Sequence, residues 1–177
     1  MKNLKNIFLV GPMGAGKSTV GKRLAKKLRL QFFDSDEEIE KRTGASINLI
    51  FEIEGENGFR KRESAIIDEL TKYPDVVLAT GGGAVLDTQN RKYLVERGLV
   101  VYLRTDLKRL MKRISRDNKR PLLKNSDPEK KMKELLAERS VLYEDMADYT
   151  VNTDRLVIPT IVDKISKFRT RQCKSLK

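Results

Sequence analysis

The sequence predicts an α/β fold, a parallel sheet covered by helices on both faces. Three observations carry that expectation. Short apolar runs alternate with amphipathic stretches of helical period along the whole chain. The first apolar run ends in Gly11-Pro12-Met13-Gly14-Ala15-Gly16-Lys17-Ser18, which fits G-x-x-x-x-G-K-[ST] between a strand and a helix. A length of 177 residues suits one domain with a real core.

The elements follow in order. Residues 6–10 form an apolar run that ends in glycine and read as a buried strand. Residues 17–29 read as a helix, with Val20, Leu24 and Leu28 four apart on one face and Lys22, Arg23, Lys26 and Lys27 around them. Gln31-Phe32-Phe33 is a second strand, closed by Asp34-Ser35-Asp36. Helical patterns over 36–42 and 46–53 are separated by Thr43-Gly44, and a longer helix fits 57–72. Pro74 breaks the chain before a third strand, Val76 to Thr80. Gly81-Gly82-Gly83 turns into a helix over 87–97, and Leu99 to Leu103 reads as a fourth strand. A basic helix over 106–116 is followed by a polar loop over 117–128 that carries two prolines. A helix over 128–146, a short strand over 149–152 and a helix over 158–171 complete the chain. No repeat or linker divides it, so a single domain over 1–177, with a lid loop at about 112–128, is expected.

Composition narrows the chemistry. The chain has no histidine and one cysteine, Cys173. That removes Ser-His-Asp and Cys-His nucleophiles, histidine or cysteine zinc sites and an intrachain disulfide. Catalysis must run on carboxylates, Lys, Arg, hydroxyls, backbone amides and an oxygen-bound metal. The apolar run Ile7-Phe8-Leu9-Val10 is far shorter than a signal-peptide core of about 7–15 residues or a membrane span of about 20. With the glycine motif starting at Gly11, the expected address is cytoplasmic, with no membrane partner. The formal charge of +12 is concentrated in residues 104–133, which hold 12 basic and 4 acidic side chains, and in 155–177, which hold 7 and 1. Solvated helix faces plus a few arginines aimed at phosphates account for that bias better than a nucleic-acid surface does.

The glycine motif supplies the central chemistry. Its glycines let consecutive N–H groups turn inward around a phosphate, and the following helix adds partial positive charge. Lys17 reaches the β- and γ-phosphates, and the Ser18 hydroxyl suits Mg²⁺. Such a loop marks a nucleotide-dependent phosphoryl-transfer enzyme. Asp34 and Asp36 follow the second strand, at the edge where open parallel sheets bind ligands. Two readings fit them equally: a helix N-cap with a first-turn acid, or acids facing the metal and the acceptor hydroxyl. Thr80-Gly81-Gly82-Gly83 lies at the same edge, and three glycines exceed what a tight turn needs, so close backbone approach to a ligand is expected. Arg120, before Pro121, is either a solvated cation or an arginine on a closing loop.

Taken together these motifs resemble the shikimate kinase family. The resemblance runs from the first strand to about Thr153. It includes the phosphate loop, Asp34-Ser35-Asp36, Glu54-Gly55-Glu56 with Phe59-Arg60 and Glu63, Thr80 to Gly83, Arg120-Pro121-Leu122-Leu123, and Arg139 with Tyr143. It implies a three-layer α/β/α P-loop kinase fold, with a five-stranded parallel sheet of order 2-3-1-4-5, usually monomeric. It implies transfer of a phosphoryl group from ATP to the 3-hydroxyl of shikimate in aromatic amino acid biosynthesis. Lys17, Asp36 and Arg120 become the catalytic residues by that analogy, Asp36 orienting the attacking hydroxyl or accepting its proton. Gly14, Ala15, Gly16, Lys17, Ser18 and Thr19 hold the nucleotide phosphates. Arg113, Arg120 and Arg155 complete the nucleotide contacts, Arg113 at the base. Arg60 and Arg139 bind the shikimate carboxylate as bidentate forks, and Gly81, Gly82 and Gly83 approach the substrate. Ser18 and Asp34 serve the metal, and Glu63 orients Arg60.

Other readings are a gluconate or nucleoside monophosphate kinase and a basic nucleic-acid-binding ATPase. The first lacks the Asp36, Arg60 and Arg139 set. The second finds no RNA-binding aromatic motif here. A GTPase is disfavoured because Asn118-Lys119-Arg120-Pro121 lacks the acid of Asn-Lys-x-Asp.

Overall fold

The computed structural model describes residues 3–114 and 127–174. Its elements run β1 (Ile7–Val10), α1 (Lys17–Leu28), β2 (Gln31–Asp34), α2 (Ser35–Thr43), α3 (Ile47–Leu70), β3 (Val76–Ala79), a 3₁₀ turn (Ala84–Leu86), α4 (Thr88–Arg97), β4 (Leu99–Arg104), α5 (Leu107–Ile114), α6 (Pro128–Met146), β5 (Tyr149–Asn152) and α7 (Ile158–Lys174). All strands are parallel, in the order β2-β3-β1-β4-β5. The sheet's C-terminal edge therefore collects the loops after β1, β2 and β3, where ligands of such sheets bind.

The apolar runs became strands because both faces of the sheet are covered. Successive side chains of a strand point to opposite faces. Phe8, Val10, Leu78, Val100 and Tyr102 pack with Ile39, Phe59, Ile67, Leu70 and Leu94 on one side. Ile7, Leu9, Val77, Val101 and Leu103 pack with Val20, Leu24, Leu110, Ile161 and Ile165 on the other. Helix α6 serves both layers: Met132 belongs to the second, and Tyr143 and Met146 to the first.

Three features differ in detail from the sequence reading. Helix α3 is continuous in hydrogen bonding but broken at Gly55, whose φ of 69° and ψ of −177° are not helical. The expected separation between 46–53 and 57–72 thus survives as a kink at a residue without a Cβ. Strand β2 reaches Asp34, and α2 starts at Ser35 rather than at 36. A 3₁₀ turn over Ala84–Leu86, three residues too short to show any period, precedes α4. Of the expected lid loop, residues 112–114 end α5 and 127–128 lead into α6. Arg120 and its neighbours lie outside the described residues.

Candidate active site

The phosphate loop leaves β1 at Gly11, whose φ of 144° no ordinary side chain adopts readily. A Cβ there would stand 2.8 Å from the Leu103 carbonyl oxygen, so the loop needs glycine for space as well as for conformation. Gly14 and Gly16 also have positive φ, and Gly16 is the N-cap of α1. No acid sits in the first turn of α1, so its N-terminal positive charge is left for an anion. Lys17 is buried, and its Nζ donates to the carbonyls of Gly11 and Pro12, each at 2.8 Å. Arg113, from α5, donates to the Gly14 carbonyl at 3.0 Å and so lies against the loop.

Asp34 is the helix N-cap that the sequence allowed, and its second oxygen reaches the start of α1. Its Oδ1 caps α2, accepting from the amides of Asp36 at 3.0 Å and Glu37 at 3.4 Å. Its Oδ2 accepts from the Ser18 hydroxyl at 2.5 Å. Strand β2 thereby delivers one carboxylate oxygen to the start of α1, and Asp36 follows in the first turn of α2.

The turn after β3 is shaped by its neighbours. The Gly81 amide donates to the Ser35 hydroxyl at 2.9 Å. A Cβ at Gly81 would meet Glu63 Oε1 at 2.6 Å and Asp36 Oδ1 at 2.9 Å, so both acids converge on this residue. A Cβ at Gly83 would collide with the Arg60 guanidinium. The glycines let two carboxylates and a cation crowd the same turn.

Arg60 donates to Glu63 Oε2 at 2.7 Å, and to Glu56 at 3.3 Å and 3.1 Å. Its guanidinium also sits over the Phe59 ring, 5.3 Å from the centroid. Glu63 is fully buried, and its Oε1 has no hydrogen-bond partner in the protein. Burial pushes its carboxyl up to about 7 against the opposing pull of Arg60, with Asp36 adding to the rise. Arg139, on α6, keeps a 3.5 Å ionic contact with Glu138, but its buried Nε makes no hydrogen bond within the protein. Both orphaned polar atoms are suited to a ligand.

One cavity of about 1080 Å³ joins these parts. Gly14, Ala15, Gly16, Lys17, Ser18, Thr19 and Arg113 line it together with Asp34, Asp36, Arg60, Gly81, Gly82, Gly83 and Arg139. Gly82 lies directly against the phosphate loop, where a Cβ would stand 3.2 Å from the Met13 amide nitrogen. Arg155 is not brought there. It is exposed, and its neighbour Leu156 lines the cavity instead with Ile158 and Ile161. That apolar surface suits the flat face of a base, one residue from the Arg155 at which the resemblance implied a nucleotide contact. Sequence reasoning also gave no role to Tyr143, a cavity-lining residue whose spacing in α6 reads equally as core. Among the described residues no helix is long and apolar enough to cross a membrane.

Comparison with known proteins identifies the family. The family model described as shikimate kinase matches residues 13–169. The shikimate kinase of Legionella pneumophila (strain Corby) is 52% identical over 165 residues, covering 93% of this chain and 94% of its own. That of Vibrio parahaemolyticus is 51% identical over 167 residues, covering 94% and 97%. The solved shikimate kinase from Acinetobacter baumannii in complex with shikimate superposes with a TM-score of 0.91 at 48% identity, covering 94% of this chain and 93% of that one. The five-stranded sheet and its helices are those of a P-loop kinase. With its phosphate loop, acid pair and paired arginines around one cavity, the chain belongs to the shikimate kinase family, ATP-using phosphotransferases of aromatic amino acid biosynthesis.

Proposed function

We propose that the chain phosphorylates the 3-hydroxyl of shikimate with ATP, and that the residues gathered around the cavity divide the work as follows. The observation that carries this reading is that Asp36, Arg60, Gly81–Gly83 and Arg139 line one cavity together with the phosphate loop. An acid and two guanidinium groups match a polyhydroxy acid, and amides with a lysine in the same cavity match a polyphosphate.

The loop amides from Gly14 to Thr19 and the Lys17 ammonium hold the β- and γ-phosphates. Lys17 shifts from the carbonyls of Gly11 and Pro12 to phosphate oxygens whose charge grows as the phosphoryl group departs. Arg113 stands beside the loop, and Leu156 and Ile158 offer the apolar wall for the base. Arg60 and Arg139 grip the carboxylate, Arg60 being held in place by Glu63. Asp36 accepts a hydrogen bond from the attacking hydroxyl, which orients it and gives its proton a destination. Arg120, outside the described residues, fits the part of the lid arginine.

The Ser18 and Asp34 oxygens are the pair that would hold Mg²⁺. Among the described residues no group of three or more carboxylates gathers. Two oxygens side by side suit a small cation that keeps most of its water and binds substrate phosphates as well. When bound, the ion neutralises phosphate charge. In this reading the enzyme is a cytoplasmic monomer that acts on a small molecule and binds no nucleic acid.

A coupled ADP-release assay over shikimate, gluconate and nucleoside monophosphates tests the reading. Turnover with shikimate and background rates with the others is expected. Strong turnover with the others and none with shikimate would reject it, as would RNA- or DNA-stimulated ATP hydrolysis lost at high salt.

A further inference from the structure

In the turn that follows β3, every carbonyl from Gly81 to Leu86 is pinned. Gly81 accepts from the Ala84 amide at 3.2 Å and Gly83 from the Leu86 amide at 3.1 Å. Ala84 accepts from the Asn90 side chain at 3.1 Å, and Arg91 donates to Val85 at 2.6 Å and Leu86 at 3.1 Å. Each of these donors lies within the turn or in α4 immediately after it. Gly82 is different: its carbonyl accepts from the Tyr143 hydroxyl at 2.5 Å, across 61 positions of sequence. Tyr143 is carried by α6, one helical turn after Arg139 and on the same face. Its ring is fully buried and stacks on Tyr102 of β4, with centroids 5.1 Å apart and planes at 27°. Tyr143 also lines the cavity.

We propose that Tyr143 is a positioning residue for the acceptor substrate: its bond to the Gly82 carbonyl sets the spacing between the glycine turn and the Arg139 guanidinium. A planar trans peptide turns its N–H away from its C=O. Anchoring the Gly82 carbonyl on α6 therefore fixes the direction of the Gly83 amide, and the same residue fixes α6 against the sheet. Burial pushes the phenol up from its ordinary value, so it stays a neutral donor through the working pH range. The inference rests on the assignment of Arg139 and the glycine turn to shikimate.

Tyr143→Phe keeps the ring and its stack while leaving the Gly82 carbonyl without its donor and removing the hydroxyl's interaction with Arg139. The expected result, in the coupled ADP assay, is a rise of about tenfold in KM for shikimate, with KM for ATP changed less than about twofold. Tyr102→Phe is the control. It alters the same stack without a bond to the turn, so any loss of thermal stability should come with unchanged KM for both substrates. Equal rises in both KM values for Tyr143→Phe, or none in a folded variant, would overturn the proposal. Should Tyr143→Phe fail to fold, a crystal structure of the wild type with shikimate decides. The Tyr143 hydroxyl on the Gly82 carbonyl with the Gly83 amide turned to the bound acid supports the proposal, and a Gly83 amide turned away from it overturns it. If the unmodified enzyme turned over no shikimate at all, the substrate assignment itself would have failed, which is a separate result.

Discussion

Replacing Arg60 by Lys is the sharpest single perturbation of the acceptor end. The Arg60 guanidinium is held from two sides, by the buried Glu63 carboxylate at 2.7 Å and by Glu56 at 3.3 Å and 3.1 Å. Lysine keeps the charge, so Glu63 keeps a cationic partner and the fold should stand. It cannot keep the planar fork, and an ammonium drawn to Glu63 has no second arm to present to a substrate carboxylate. Losing about one charge-assisted hydrogen bond to the bound acid is worth about 1.5–3 kcal/mol. At about 1.4 kcal/mol per factor of ten, KM for shikimate should rise roughly 10- to 100-fold. Initial rates over shikimate at saturating ATP, and over ATP at saturating shikimate, separate the two constants. KM for ATP should stay within about twofold, since no nucleotide group faces Arg60 in the proposed arrangement. Equal rises in both constants, in a variant with wild-type thermal stability, would remove the carboxylate assignment.

Three further outcomes are expected. Lys17→Ala should lower kcat by at least about 100-fold, because a charge aimed at the departing phosphoryl group is lost; single-turnover kinetics with an unchanged rate would contradict that role. Glu63 titrates higher in the folded chain, at about 7, than its ordinary value of 4.5. The folded state therefore binds the extra proton between those values. Its contribution to stability is complete below about 4.5 and is lost as pH rises through about 7, a change of about 3 kcal/mol. Urea unfolding of wild type and Glu63→Gln across pH 4.5–7.5 should show this slope in the wild type only; parallel profiles would refute it. Gly11→Ala places a Cβ at a φ of 144° and 2.8 Å from the Leu103 carbonyl oxygen. A cost of about 1–3 kcal/mol is expected, lowering Tm by about 2–10 °C, and an unchanged scanning-calorimetry midpoint would contradict it.

Much of this was legible in the chain because the relevant physics is local. Ile7–Val10 and Val76–Ala79 read as buried strands since parallel strands covered on both faces carry unbroken apolar runs. The glycine motif announced its own loop because positive φ at Gly14 and Gly16 is a backbone demand that only glycine meets cheaply. Strand order was another matter. Local periodicity does not say that β3 lies between β2 and β1; that came through family resemblance. At the site, Arg60 and Glu63 share a helix face three residues apart, a pairing that spacing displays. Tyr143 and Gly82 are joined only by tertiary folding, and an aromatic on a helix reads as core until its hydroxyl is seen to find a partner. Arg155 shows the converse. The resemblance implied a nucleotide contact there, but the apolar Leu156 beside it is the one that lines the cavity.

The account depends on one hollow holding a phosphate chain at the start of α1 and a small hydroxy acid against Asp36, Arg60 and Arg139. A crystal structure with ADP and shikimate bound tests that most directly. The account predicts the β-phosphate within the amides of the Gly11–Ser18 loop, the shikimate carboxylate between Arg60 and Arg139, and its 3-hydroxyl within hydrogen-bond reach of Asp36. Shikimate bound elsewhere, or bound with its carboxylate away from both arginines, would contradict it.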